Sequence, residues 1–313
     1  MSEHGTHGQD GTTGPGTGGG SADPATEAFV AHRNLLFTVA YELLGSAADA
    51  EDVLQETWLR WTGVDLAEVR DRRAYLVRIT TRQALSRLRT LGRRKESYVG
   101  EWLPEPLLTT PDVAEDVELA DSVSMAMMLV METLTPTERA VFVLREVFDL
   151  GYDEIAEAVD KSQAAVRQTA HRARAHVAAR RPRGVVSRTE SRDALDAFQR
   201  AVRTGDLQGL LDILAPDVVL LGDGGGIKQA ILRPVTGADK VARLLLGGLV
   251  KLPTAMSMDP VQVNGHPALL IRLDGDLDTV MAVRFDDGRI SGLYAVRNPE
   301  KLTRMERETA LHR

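Results

Sequence analysis

Residues 134–179, LTPTERAVFVLREVFDLGYDEIAEAVDKSQAAVRQTAHRARAHVAA, spell two short helices and a third, strongly basic one. Thr135-Pro136-Thr137-Glu138 is a helix start with a mechanism: the Thr135 hydroxyl caps free N–H groups, Pro136 suits the first helical position, and Glu138 completes a capping box. Val141, Leu144, Val147 and Phe148 follow at helical spacing until Gly151 interrupts them. A second helix, Tyr152 to Val159, buries Ile155, Ala156 and Val159, and the turn Asp160-Lys161 leads to Ser162, placed as the next N-cap. This order predicts a helix-turn-helix.

The third helix carries the chemistry. Val166, Thr169, Ala170, Ala173 and Val177 form a narrow inward stripe of small residues, while Arg167, His171 and Arg174 lie one above another on the opposite face, flanked by Gln168 and Arg172. No Asp or Glu occurs between Lys161 and Arg183. A solvated face normally mixes signs, so an acid-free cationic face fits the major groove better: Arg and Gln read base edges there and further Arg neutralise phosphates. Ser162 and Gln163, at the helix start, join this candidate DNA-binding set.

At 313 residues the chain is long enough for two or three cores. Its net charge of −7 argues against nucleic acid only on average, because the bases are segregated into Arg70–Lys95 and Lys161–Arg183. The absence of cysteine excludes disulfides and thiolate metal sites, and no cofactor or metal is expected. The longest wholly apolar run, Met125 to Met131, is too short to span a bilayer, and the N-terminus lacks an apolar signal core. A cytoplasmic protein without a membrane partner is expected.

Residues 1–24, almost all Gly, Thr, Ser, His and Asp, predict a disordered tail, in which His4 and His7 are weak metal candidates. From Thr26 a broad apolar stripe of Phe29, Leu35, Leu36, Val39, Ala40, Leu43 and Leu44 predicts a helix ending at Gly45. A second helix, opening at Ser46 or Asp49 and reaching Trp61, sets Val53, Trp58, Leu59 and Trp61 against an acidic and amide face of Asp49, Asp52, Gln55 and Glu56. A third, Arg72 to Arg94, turns Tyr75, Leu76, Ile79, Leu85 and Leu88 inward and is dense outside with Arg73, Arg78, Arg82, Arg87, Arg89, Arg93 and Arg94. Exposed ion pairs contribute little, so such segregation points to two different partners rather than to mutual pairing.

The run Asp49 to Arg60 (DAEDVLQETWLR), followed by Ala74 to Ile79 (AYLVRI) and by the helix-turn-helix, resembles the extracytoplasmic-function sigma factors of bacterial RNA polymerase. The resemblance implies that Asp49, Asp52, Gln55, Glu56 and Leu59 touch the clamp helices of the largest subunit of the polymerase core. It implies that Tyr75, Arg78, Arg82, Arg87 and Arg89 face the minus-ten promoter element, and that the helix-turn-helix reads the minus-thirty-five element. Arg82 and Ser86 stand where the family commonly has Asn and Asp. Independently of the family, an aromatic on an Arg-rich helix suits single-stranded DNA, although Tyr75 serves equally as core.

Between the helical blocks, residues 98–112 contain Trp102-Leu103-Pro104-Glu105-Pro106, whose prolines enforce an extended chain and whose apolar pair predicts docking. Val113 to Thr133 predicts one further helix, its methionines reading as core. After Arg183, helices at 191–204 and 207–214 precede strands at 218–221, 230–235, 255–263, 268–273, 279–285 and 289–297, with one helix at 238–249. Asn264-Gly265, Asp274-Gly275 and Asp287-Gly288 are hairpin signals. Helices first and then a curved antiparallel sheet predict a separate α+β domain, whose order resembles the SnoaL-like, NTF2-like cone fold.

Sigma factors with this extension share a tryptophan-proline linker motif, a DGGGK motif and an NPDKL motif. Here Trp102, Leu103 and Pro104, then Asp223, Gly224, Gly225 and Gly226, and finally Asn298, Pro299 and Lys301 match them; Ile227 displaces the lysine to Lys228. The expected layout is a tail (1–24), a sigma region 2 domain (25–96), a linker (97–115), a region 4 helix-turn-helix domain (116–181), a SnoaL-like domain (188–303) and a short tail (304–313). Two all-α domains precede an α+β cone that regulates them, an implication the family shares. The competing readings are a one-component regulator with a small-molecule ligand in the cone, and a cavity enzyme using Asp217, Asp223 or His266, for which no spacing assembles an acid–base pair.

Overall fold

The computed structural model describes residues 23–110, 112–113, 116–180, 188–250 and 255–313. The predicted disordered tail thus lies outside the described residues except for Asp23, which sits at the N-cap, and Pro24, the first residue of helix α1 (Pro24–Leu44). Gly45 ends α1 in the left-handed conformation, its N–H bonded to the Tyr41 carbonyl. Ser46 caps α2 (Ala47–Trp61), and the basic helix is α3 (Arg72–Glu96). The predicted helix over 113–133 is instead two, α4 (Val117–Val123) and α5 (Met125–Met131), because Ser124 leaves the helical conformation and caps the second.

The Thr135–Glu138 capping box starts α6 (Pro136–Phe142), which runs into a π-helical segment, Val143–Val147. The helix-turn-helix follows as α7 (Tyr152–Val159), a left-handed Asp160, and α8 (Gln163–Ala178) capped by Ser162. Val166, Thr169, Ala170, Ala173 and Val177 of α8 are buried, as their spacing predicts.

The C-terminal domain comprises α9 (Arg188–Thr204), α10 (Leu207–Ile213), β1 (Leu214–Asp223), β2 (Val235–Thr236), α11 (Ala238–Val250), β3 (Met256–Val263), β4 (His266–Leu273), β5 (Asp276–Asp286), β6 (Arg289–Val296) and α12 (Pro299–Leu302). The strand expected over 230–235 is reduced to the two residues of β2. Strand order is β2-β1-β6-β5-β4-β3. The sheet is mixed rather than antiparallel, because β1 lies parallel to β6. All three predicted hairpin turns form, with both turn residues at positive φ.

The two sheet faces differ in what they bury. Leu195, Phe198 and Val202 of α9 and Val241 of α11 fill one face. Against the other lie Leu103 of the linker, Met125 and Ala126 of α5, and Leu302 and Met305. The methionines are core, as expected, but Met125 packs on the sheet while Met127, Met128 and Met131 pack among the helices. The two helical domains share one continuous core from Ala25 to Val177. Among the described residues no helix is long and apolar enough to cross a membrane.

Candidate functional site

The three motifs read from the sequence meet at one carboxylate. Asp223, at the end of β1, is wholly buried. It accepts hydrogen bonds from the Leu103 N–H (2.9 Å), the Tyr98 hydroxyl (2.6 Å) and the Gly225 N–H (3.0 Å), and pairs with Lys301 Nζ at 2.7 Å. The Lys301 ammonium also donates to the Leu103 carbonyl. Asn298 donates to the Tyr98 hydroxyl (2.9 Å) and caps α12 by accepting from the Glu300 N–H. Burial lowers the Lys301 pKa against the opposing pull of Asp223, and burial together with Asp223 raises that of Tyr98. The glycines are needed for close approach: a Cβ on Gly224 would overlap the Lys228 carbonyl, and one on Gly225 the Asn298 amide. The displaced Lys228 pairs with Asp278 at 3.0 Å. Burial opposes ionisation there, yet hydrogen bonds from Arg297, Thr279 and Lys228 pull the Asp278 carboxyl down to about 2.

The linker contacts the helical domains as well as the sheet. Leu103, Pro104, Glu105, Pro106 and Leu107 are buried. Glu105 accepts from the N–H groups of Ala47 (2.8 Å) and Ala48 (3.3 Å), satisfying the free donors at the start of α2. Its carbonyl accepts from the Tyr41 hydroxyl at 2.6 Å. Trp102 is half-buried between two ammonium groups, Lys95 Nζ 3.4 Å and Lys301 Nζ 4.3 Å from its ring centre. Lys95 in turn pairs with Glu132, which also holds Arg139. The apolar pair of the linker therefore docks, as predicted.

The helical domains meet at a seam. Arg78 of α3 donates to Glu157 of α7 at 2.6 Å, and Arg82 to the Glu157 carbonyl at 2.7 Å. Arg78 also stacks 4.5 Å over Tyr75, which is half-buried against Trp61, so Tyr75 serves the core in this arrangement. Arg87 lies between α2 and α3, bonded to Asp49 at 2.8 Å and paired with Asp52. The expectation of two partners rather than mutual pairing is thus qualified at Arg87, where close packing of the two helices brings a guanidinium within reach of two carboxylates one turn apart. Gln55, Glu56, Leu59 and Arg89 stay exposed, Leu59 at 71%.

On α8, Ser162, Gln163, Arg167, Gln168, His171, Arg172 and Arg174 are all exposed along one side. Arg174 is bound by Glu146 (2.7 Å) and the Tyr152 hydroxyl (3.2 Å), and Arg172 lies 3.6 Å from Glu138. Asp217 is exposed and His266 contacts the Ala120 carbonyl at 3.0 Å, so neither joins Asp223 in an acid–base pair.

Two contributors escaped the sequence reading. Asn264, seen only as a hairpin residue, is wholly buried; its side chain accepts from the Leu107 N–H (2.9 Å) and donates to the Tyr41 hydroxyl (2.7 Å) and the Val123 carbonyl (2.8 Å). It thus ties linker, α1 and α4 to the sheet. Glu42 is buried beside Arg139, which donates to the Glu42 carbonyl at 2.8 Å, and its carboxylate accepts from Ser122 at 2.8 Å. Only an acidic residue in an otherwise apolar stripe of α1 signals it.

Comparison with known proteins agrees with this geometry. The profile of Sigma-70 region 2 matches residues 28–94, and that of Sigma-70, region 4 matches residues 124–177. The ECF RNA polymerase sigma factor SigJ of Mycobacterium tuberculosis is 36% identical over 88% of this chain and 92% of its own. SigI of the same organism is 31% identical over 91% of this chain and 97% of its own. The crystal structure of M. tuberculosis SigJ superposes with a TM-score of 0.71 over 89% of this chain and 98% of that one, at 33% identity. With this identity sustained over nearly the whole of both chains and both sigma-70 regions matched, the chain belongs to the extracytoplasmic-function sigma factors of RNA polymerase.

Proposed function

We propose that Asp49, Asp52, Gln55, Glu56 and Leu59 bind the clamp helices of the polymerase core, that α3 engages the minus-ten element through Tyr75, Arg78, Arg82, Arg87 and Arg89, and that the exposed face of α8 reads the minus-thirty-five element. The C-terminal domain acts as a built-in restraint, not as an enzyme, and the protein works in the cytoplasm, where its polymerase is. The observation that carries this reading is the Asp223 node: one buried carboxylate takes the linker, the glycine loop and the NPEKL segment together. While the node holds, Arg78 and Arg82 are spent on Glu157 across the seam, whereas Arg87 stays on Asp49 and Asp52 within its own domain. Freed cations release counterions on meeting phosphates, so opening favours promoter binding.

Run-off transcription with core polymerase tests it. Asp52→Lys with Glu56→Lys should abolish core binding and transcript together. Trp102→Ala should change promoter output while core affinity of the isolated N-terminal region stays as it was. Wild-type transcription by the first variant removes the polymerase assignment, and unchanged output from the second removes the restraint.

A further inference from the structure

Residues 304–313, expected as a tail, instead lie in a seat made by four other parts of the chain. Arg304 stands 3.6 Å from Glu51 of α2 and 3.9 Å from Glu105 of the linker. Thr309 pairs in parallel with Thr109, and its N–H donates to the Leu108 carbonyl at 2.7 Å. On its other side the linker pairs with β3: Leu108 bridges Val263, and the Thr109 N–H donates to the Gln262 carbonyl at 3.1 Å. The linker is therefore the middle strand of a three-strand patch, with segment 308–310 as its outer edge. Leu311 is 1% exposed and belongs to the core of the helical domains, not to that of the sheet. The His312 N–H donates to Thr38 Oγ1 of α1 at 3.0 Å, and Arg313 pairs with Asp116 at 2.8 Å and with Glu118 of α4.

The contacts have the form of peptide recognition by strand addition: backbone bonds give affinity, an apolar hole takes one side chain, and two carboxylates take a cation two residues later. Leu311 thus comes to the helical core from outside the helical domains, and residues 308–313 lie beyond α12, the last named element of the C-terminal domain.

We propose that this seat is an exchangeable peptide-binding site for extended segments carrying an aliphatic residue followed two positions later by a cation, and that segment 308–313 occupies it in cis as a strap. The proposal rests on the reading of the C-terminal domain as a restraint and names the part that fastens it. Detaching the strap leaves the Leu108 carbonyl without the Thr309 N–H and removes an aliphatic side chain from the core of the helical domains.

The test uses the chain lacking residues 308–313, the full-length Leu311→Asp variant, and the synthetic hexapeptide Glu-Thr-Ala-Leu-His-Arg. Hydrogen exchange at Thr109 and Asn264 should quicken by about tenfold or more in both variants, as local opening grows. The hexapeptide, added in trans to the shortened chain, should restore protection, while the same peptide with aspartate for leucine should not. Unchanged exchange in both variants overturns the strap, as does a shortened chain that opens but does not bind the hexapeptide. Restored protection with run-off output equal to wild type in every arm keeps the peptide site and removes the restraint reading instead.

Discussion

Arg78 and Glu157 are joined at 2.6 Å across the seam between the two helical domains, and the same Glu157 offers its carbonyl to Arg82 at 2.7 Å. The first helix of the helix-turn-helix thus occupies two of the arginines assigned to the minus-ten element, while α8 keeps its own basic side open to solvent. A chain folded this way exposes one of the two proposed DNA-binding surfaces and occupies part of the other.

Glu157→Lys should release that contact. Glu157 is largely exposed, so the pair contributes at most about 1 kcal/mol and the unfolding midpoint should barely move. Affinity for a labelled single-stranded minus-ten oligonucleotide, read by fluorescence anisotropy, should rise by up to about fivefold. Equal affinity in variant and wild type would show that the pair restrains nothing.

Lys301→Ala should be far more costly, because it strands a fully buried Asp223 carboxylate. Removing one partner of a buried pair typically destabilises by about 3–5 kcal/mol. Urea unfolding should report that loss, and limited proteolysis should open new cleavage near Trp102. The double variant Asp223→Asn with Lys301→Met should recover part of the stability, since no uncompensated charge then remains.

Asn264→Ala removes three hydrogen bonds and places alanine at φ 54. Each buried partner left unsatisfied costs about 1–3 kcal/mol. Asn264→Gly tolerates the backbone conformation but loses the same bonds, so it separates the two effects. Both variants should unfold earlier in urea; a glycine variant as stable as wild type would reduce Asn264 to a turn residue.

Burial raises the Glu42 carboxyl to about 8, more than Ser122 and Arg139 lower it. A carboxyl whose folded pKa lies above its unfolded value favours the folded state when protonated. Its contribution is complete below the unfolded pKa near 4.5 and is lost as pH climbs through about 8. Lys95, lowered to about 8 chiefly by burial, acts with the opposite sign and only above that pH. Stability measured in urea should therefore decline from about pH 5 to about pH 8, and Glu42→Gln should flatten the decline. An unaltered slope in that variant would assign the pH dependence to other groups.

Much of the local architecture was legible because its causes are local. A capping box at Thr135 and Glu138, a stripe of small residues on α8, and Asn-Gly or Asp-Gly pairs between alternating strands each act within a few residues. The linker motif announced that Trp102 and Leu103 needed a partner, since apolar side chains in a proline-stiffened segment have nowhere local to go. Misreadings fell where a cap competed with periodicity, as at Ser124, or where pairing depended on a distant strand, as for β1 beside β6.

By itself, then, the sequence determined most of the helices, the hairpins, the two basic surfaces and the family, all of which rest on spacing and residue type. Only the tertiary structure decided that Arg87 answers Asp49 and Asp52, that Asn264 ties three segments together, and that Leu311 completes a core begun at Ala25. Hydrogen bonds and burial between residues far apart in the chain depend on how the domains dock, and no periodicity records that.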